Sequence, residues 1–186
     1  GAGRTGPFWA WQASGEDAAP DLIAAGKGLG GGVAVAALLG RAKPMEAWAK
    51  HVGATGESPY ASTYYAHPLA CAGGSAALPL LESTAAAATE AARAFERGLA
   101  PLRTLPGVGD VRQAGLLIAI ELVADRESRA PDPARAASIV GALRSRGLLV
   151  IPGGRGGNVL SLYPSRRITG AQVARAVELL AEALRA

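Results

Sequence analysis

Lys27 is the residue with the clearest chemical potential. It follows the short apolar run Leu22 to Ala25 and Gly26, and it precedes Gly28-Leu29-Gly30-Gly31-Gly32. If that run is a strand, the lysine stands just past its carboxyl end, where open α/β sheets bind their ligands. A lysine held there, if partly desolvated and near other cations, can act as an amine nucleophile. The glycines permit positive φ and let the backbone approach a bulky planar group closely. The same residues would also suit a solvated lysine in a flexible turn, and residue types alone leave both readings open. A phosphate-cradling P-loop does not fit, because that motif carries its glycines before the lysine and a Ser or Thr after it.

Other side chains offer less. Thr63 ends the loop Ala61-Ser62-Thr63 ahead of a helical stretch. Its hydroxyl could donate to an anion there, with Ser62 as a weaker alternative, or it could serve as an ordinary turn or cap. His67 reads as a hydrogen-bonding structural residue rather than a base, and His51 as a surface residue. Trp9 and Trp11 either line a pocket or belong to the core. Arg4 either binds an anion or caps a turn. Cys71, the single cysteine, lies in an Ala-rich run and is expected to be a small buried hydrophobe. One cysteine excludes an intrachain disulfide and fits a reducing cytoplasm.

These groups must be positioned by two unlike halves. In the first, Gly1 to Gly6 is a glycine-rich loop and Phe8 to Gln12 a short strand or turn. Leu22 to Ala25 and Val33 to Leu39 are apolar runs that suit strands buried on both faces of a sheet, as in α/β proteins. A short helix follows Pro44, a small-residue loop spans Gly53 to Ser62, and a helix starts near Pro68, with Pro79 expected to kink or end it. Few helices cover the two strands, so this half reads as part of a larger sheet. The second half begins with a helix over Ala86 to Leu99. It continues with strands at Val108 to Arg112 and Leu116 to Val123, and a helix from Pro131 to Arg146 with Asp132 as N-cap. Strands at Leu148 to Ile151 and Val159 to Tyr163 follow. The last helix opens on a capping box, Thr169 with Gln172, and repeats apolar residues at Val173, Val177, Leu180 and Leu184. That order describes a compact α+β unit.

Composition sets the bounds. The 186 residues allow one domain or one and a half, and a hydrophobic fraction of 49% is ample for a core. The net charge of +4 is small and its arginines are dispersed, which argues against nucleic acid and suits an anionic cofactor or substrate. The run Val33 to Leu39 is too short to span a bilayer, and no secretory signal is expected. The chain opens on Gly1 and its only methionine is Met45, so a preceding segment is expected.

Three stretches, taken together and in order, carry a family resemblance. The first runs from Gly3-Arg4-Thr5-Gly6 through an aromatic patch and Pro20-Asp21-Leu22-Ile23 to Gly26-Lys27-Gly28-Leu29-Gly30-Gly31-Gly32. The second is Thr63-Tyr64-Tyr65-Ala66-His67-Pro68-Leu69-Ala70-Cys71-Ala72, and the third is Val111-Arg112-Gln113-Ala114-Gly115-Leu116 with Glu121-Leu122. Over nearly the whole chain the pattern resembles the class III aminotransferases, which depend on pyridoxal phosphate. The resemblance implies an α/β chain of the fold type I transferases, present in part. Residues 1–82 would be the second portion of the large cofactor-binding domain, and residues 83–186 the small α+β C-terminal domain.

The resemblance further makes Lys27 the lysine that bonds to the cofactor aldehyde and later moves the substrate proton. Thr63 becomes the threonine that holds the cofactor phosphate of a neighbouring subunit in a homodimer. No metal is implied. Amine or amino acid and keto acid would be the substrates, in the cytoplasm, without nucleic acid or membrane partners. Two departures stand out. The family's aspartate for the pyridine nitrogen, its phosphate-cradling segment and its ring-stacking aromatic all precede the position of Gly1, so these residues alone are expected to be inactive. Ser161 also stands where many members carry a substrate-carboxylate arginine, and Arg166 or Arg167 is the available replacement. An aminomutase, racemase or decarboxylase of the same family, or a non-catalytic interaction module, are the alternatives.

Overall fold

The sheet of the second half is built on alternation. Strands β3 (Val108–Ala114), β4 (Leu117–Leu122), β5 (Ile151–Gly153) and β6 (Val159–Leu162) form one antiparallel sheet in the order β3-β4-β6-β5. Ile118, Ile120 and Leu122 of β4 face the core, and Leu160 and Leu162 of β6 pair opposite Ile120 and Ile118. Period-two alternation makes this face apolar, and the register keeps it so across the sheet. A register shift between Val108 and Asp110 puts both Val108 and Val111 into the core, as an extra residue in one strand does. These coordinates come from a computed structural model that describes residues 1–56 and 63–186.

Three helices supply the rest of that core: α3 (Ala85–Leu99), α4 (Pro133–Ser145) and α5 (Gly170–Arg185). Phe95 and Leu99 of α3, Ile139 and Leu143 of α4, and Val173, Leu180 and Leu184 of α5 join the strand residues in one apolar cluster. Both expected caps form. The Asp132 carboxylate accepts from Arg135 N at 2.9 Å, and Thr169 Oγ1 accepts from Gln172 N at 3.3 Å while the Gln172 amide oxygen accepts from Thr169 N at 2.9 Å. Arg135 also donates to the carbonyls of Pro106 and Leu184, tying α4 to the end of α5. α3 and α5 approach closely at Gly98, where a Cβ would lie 2.8 Å from Val177 Cγ2.

The described residues divide into two compact units. One consists of Gly1, Gly3–Gly6 and Thr84–Ala186, the other of Ala2 and Pro7–Ser83. The second unit contains β1 (Leu22–Ala25), β2 (Ala37–Gly40), α1 (Ala42–Thr55) and α2 (Pro68–Ser83). β1 and β2 pair antiparallel with Leu22 opposite Gly40.

Several expectations need correction. The second apolar run is a strand only over Ala37–Gly40, and Leu22, Leu38 and Leu39 are exposed rather than packed on both faces. The register ends at Ala25 opposite Ala37, so residues 33–36 belong to the connection that includes the glycine turn. Phe8 to Gln12 is no strand; a 3₁₀ helix covers Ala10–Ser14. α1 runs on to Thr55 before the loop, and the remainder of that loop, Ser62 included, lies outside the described residues. Pro79 does not end α2, which continues to Ser83. The fifth strand begins at Ile151 and not Leu148, because Leu148 N bonds back to Leu143 O and closes the end of α4. Cys71 is exposed, not buried.

Candidate functional site

Lys27 opens a 3₁₀ turn, Lys27–Gly30, directly after β1 and Gly26. Its side chain is exposed, and its backbone has φ of 51°, one of few non-glycine positive values among the described residues. A left-handed conformation at a residue with a Cβ costs on the order of 1–3 kcal/mol and persists only where surroundings impose it. Ala2, Ala66 and Arg129 share the positive φ, and Lys27 is the one of the four with a nucleophilic side chain, the residue that the glycine pattern also picked. Leu29 N donates to Gly26 O, Gly31 N to Gly28 O and Val33 N to Gly30 O, so the segment is a chain of tight turns rather than a loose loop.

The turn rests on α2. The buried residues of α2 are Ala70, Gly74 and Ala77, its smallest, while Leu69 and Leu80 are more than 60% exposed. Small residues on that face let the backbones touch. Gly31 has φ of 60°, and a Cβ there would sit 2.9 Å from Ala77 Cβ. A Cβ on Gly73 would sit 3.1 Å from Gly30 O. Thr63 lies in the turn before α2, exposed, at the start of the described stretch that includes His67. His67 is exposed, its ring lies 6.1 Å from that of Tyr64, and its backbone carbonyl accepts from Cys71 N in the first turn of the helix. His51 is exposed, its carbonyl accepting from Thr55 Oγ1. Trp9 and Trp11 are half-buried, with Phe8 edge-on to Trp9 at 4.9 Å. Lys27 and Thr63 thus lie on the segments before and after the same unit's helix α1. Sequence reasoning missed the contact of Gly73 and Ala77 with the turn; their spacing of four within the Ala- and Gly-rich run was the available signal.

In the other unit, Arg4 is a structural ligand. Its Nη1 donates to Pro164 O at 2.6 Å, and its carbonyl accepts from Leu116 N at 2.8 Å. Gly115, φ 58°, admits that approach, since a Cβ would lie 2.3 Å from Arg4 O. Arg166 is 8% exposed and its guanidinium lies over Gly3, where a Cβ would be 2.7 Å away. Burial, and then the charge of Arg4, hold Arg166 below the ordinary guanidinium range. Arg167 is exposed. Ser161 sits on the sheet face opposite the core, between Ala119 and Ile151 in register. That face also carries Arg112, which pairs with Asp110 and Glu121 at 3.2 Å each. Among the described residues no group of His, Cys, Asp and Glu could hold a metal, and no helix is long and apolar enough to cross a membrane.

The order of these parts has a counterpart among known proteins. The family profile described as Aminotransferase class-III matches residues 1–184. The chain belongs to the class III aminotransferase family. It is 35% identical to the 4-aminobutyrate aminotransferase of Escherichia coli (strain K12) over 188 residues, covering 98% of this chain and 41% of that protein. To the isoleucine 2-epimerase of Lentilactobacillus buchneri it is 31% identical, covering 100% of this chain and 40% of that protein. A PMP-bound aminotransferase from Vibrio fluvialis superposes with a TM-score of 0.89 at 27% identity, over 99% of this chain and 41% of that one. The chain therefore spans about two fifths of the proteins it matches, with the α/β architecture of a partial transaminase fold.

Proposed function

We propose that the protein to which this class III aminotransferase chain belongs is a pyridoxal-phosphate enzyme that moves an amino group between an amine or amino acid and a keto acid. The observation that carries this reading is the strained, exposed Lys27 at the family-matched glycine turn. The residues fit the cofactor's aldehyde end. The Lys27 amine is accessible, and the positions beside it at Gly28 and Gly32 are open, with no atom within 4 Å of where a Cβ would stand. That leaves room for a flat ring against backbone.

The cofactor, when bound, acts as electron sink for the substrate's Cα. Lys27 would hold the cofactor through its amine and, once that amine is free, would take and return the proton at the substrate's Cα. Thr63, exposed ahead of α2, donates its hydroxyl to the phosphate of a second subunit's cofactor, which makes the active form a homodimer. Residues 1–82 belong to the large cofactor-binding domain and residues 83–186 to the small one, and the enzyme works in the cytoplasm.

Borohydride reduction of the full-length protein followed by peptide mapping tests this. We expect the label on Lys27; a label on Lys43 or Lys50 with Lys27 unmodified overturns the assignment. The similarity to an epimerase supports a second reading, in which the same lysine moves the proton without net amino transfer. Product analysis separates them, because only a transaminase leaves the aminated cofactor when no keto acid is present.

A further inference from the structure

We propose that Gly73 and Ala77 of α2 are positioning residues for Lys27, setting the direction in which its amine leaves the turn; this rests on Lys27 being the cofactor lysine. The left-handed backbone at Lys27 is not explained by its own side chain, which is exposed. What surrounds the turn explains it. Gly31 and Ala77 meet with no space for another methyl group, since a Cβ on Gly31 would be 2.9 Å from Ala77 Cβ and 3.4 Å from Gly73 O. One helical turn earlier, Gly73 faces Gly30 O and Val33 Cγ2, with 3.1 and 3.2 Å for a Cβ. Residues four apart on a helix share a face, so the two contacts act on the turn together.

The contact reaches the lysine through backbone. Gly31 N is bonded to Gly28 O and Leu29 N to Gly26 O, so a shift of Gly31 passes to the Gly28–Leu29 peptide and from there to the Gly26–Lys27 peptide. Val35 packs where the turn meets the helix: its Cγ1 would be 2.9 Å from a Cβ on Gly30 and 3.8 Å from one on Gly74 of α2. Glycine backbone, the small residues of α2 and the stiff side chains of Val33 and Val35 meet at this contact, so no long flexible side chain cushions a displacement. A packed contact of this kind transmits it. α2 thereby buries small residues and leaves leucines outside, an arrangement that its own amphipathicity would not select.

The test uses the full-length protein loaded with pyridoxal phosphate. Variants are Ala77→Val, Gly73→Ala, Gly31→Ala and the exchange Gly31→Ala/Ala77→Gly. Gly98→Ala serves as a control that crowds Val177 in the other unit. Two readouts are taken besides activity: the pH midpoint of the cofactor's visible absorption, and the rate of borohydride labelling at Lys27. Misplacing a reacting group slows its chemistry steeply, so we expect Ala77→Val and Gly73→Ala to slow labelling roughly ten- to a hundredfold and to move the midpoint, with Gly98→Ala leaving both unchanged.

The strain of alanine at a left-handed position is the same with either residue at 77, so the exchange isolates the contact. Removing the Ala77 methyl should return Gly31→Ala most of the way to the parent in both readouts. Unchanged midpoint and labelling in Ala77→Val, or equal shifts in Gly98→Ala, overturn the proposal. If Ala77→Val does not fold, the volume-conserving exchange decides, and its failure to restore Gly31→Ala overturns the proposal as well. An unlabelled Lys27 in the parent protein instead sinks the cofactor-lysine reading on which it rests.

Discussion

Lys27 and Thr63 are both exposed, as the proposed contacts with a cofactor and, for Thr63, with a second chain require. A hydrogen bond to a charged phosphate contributes about 1.5–3 kcal/mol. Thr63→Ala should therefore weaken cofactor affinity roughly ten- to a hundredfold, read by equilibrium dialysis of the full-length protein. Full-affinity binding by a proven monomer would contradict the shared site. Carboxylate recognition makes a second residue-scale prediction. A serine at 161 cannot replace the bidentate charge of an arginine. Arg166 is packed over Gly3 beside Arg4, in a place fixed by burial rather than free to swing. Weak use of 2-oxoglutarate is expected in a substrate screen, with better use of a smaller acceptor. A strong preference for it, lost in Ser161→Ala and kept in Arg166→Ala and Arg167→Ala, would refute this.

Elements in the two units are stabilised differently. α4 and α5 begin on caps that satisfy otherwise orphaned N–H groups, and both carry apolar faces into a common core. Replacing the cap at Asp132 or Thr169 by alanine should cost about 1 kcal/mol each, measured by urea unfolding of the protein. The two losses should add, because each cap serves its own helix terminus; a loss near zero at either would mean that its bonds do not form in solution. α2 has no such face. It is held by backbone approach to the Lys27 turn, and Pro79 inside it removes one intrahelical bond without ending the helix.

Across the molecule, burial is uneven. The apolar cluster draws on β3, β4, β6 and α3 to α5, all within the unit of Gly1, Gly3–Gly6 and Thr84–Ala186. In the other unit the buried apolar residues among those described are Ala70 and Ala77, while Leu22, Leu38, Leu39, Leu69 and Leu80 are open to solvent. Local stability follows buried apolar contact. Amides of β4 and α5 in this chain should thus exchange with deuterium most slowly, and those of β1 and β2 faster by orders of magnitude. Equal protection in the two ribbons would show that the burial pattern misstates the stability. The caps at Asp132 and Thr169, the hairpin of β3 and β4 and the apolar stripe of α5 were readable from residue order, because each depends on neighbours within a few positions. The true extent of β2, the exposure of Cys71, the burial of Arg166 and the grip of Gly73 and Ala77 on the lysine turn were not. Each is decided by which distant segment happens to lie alongside, and local periodicity carries no record of that.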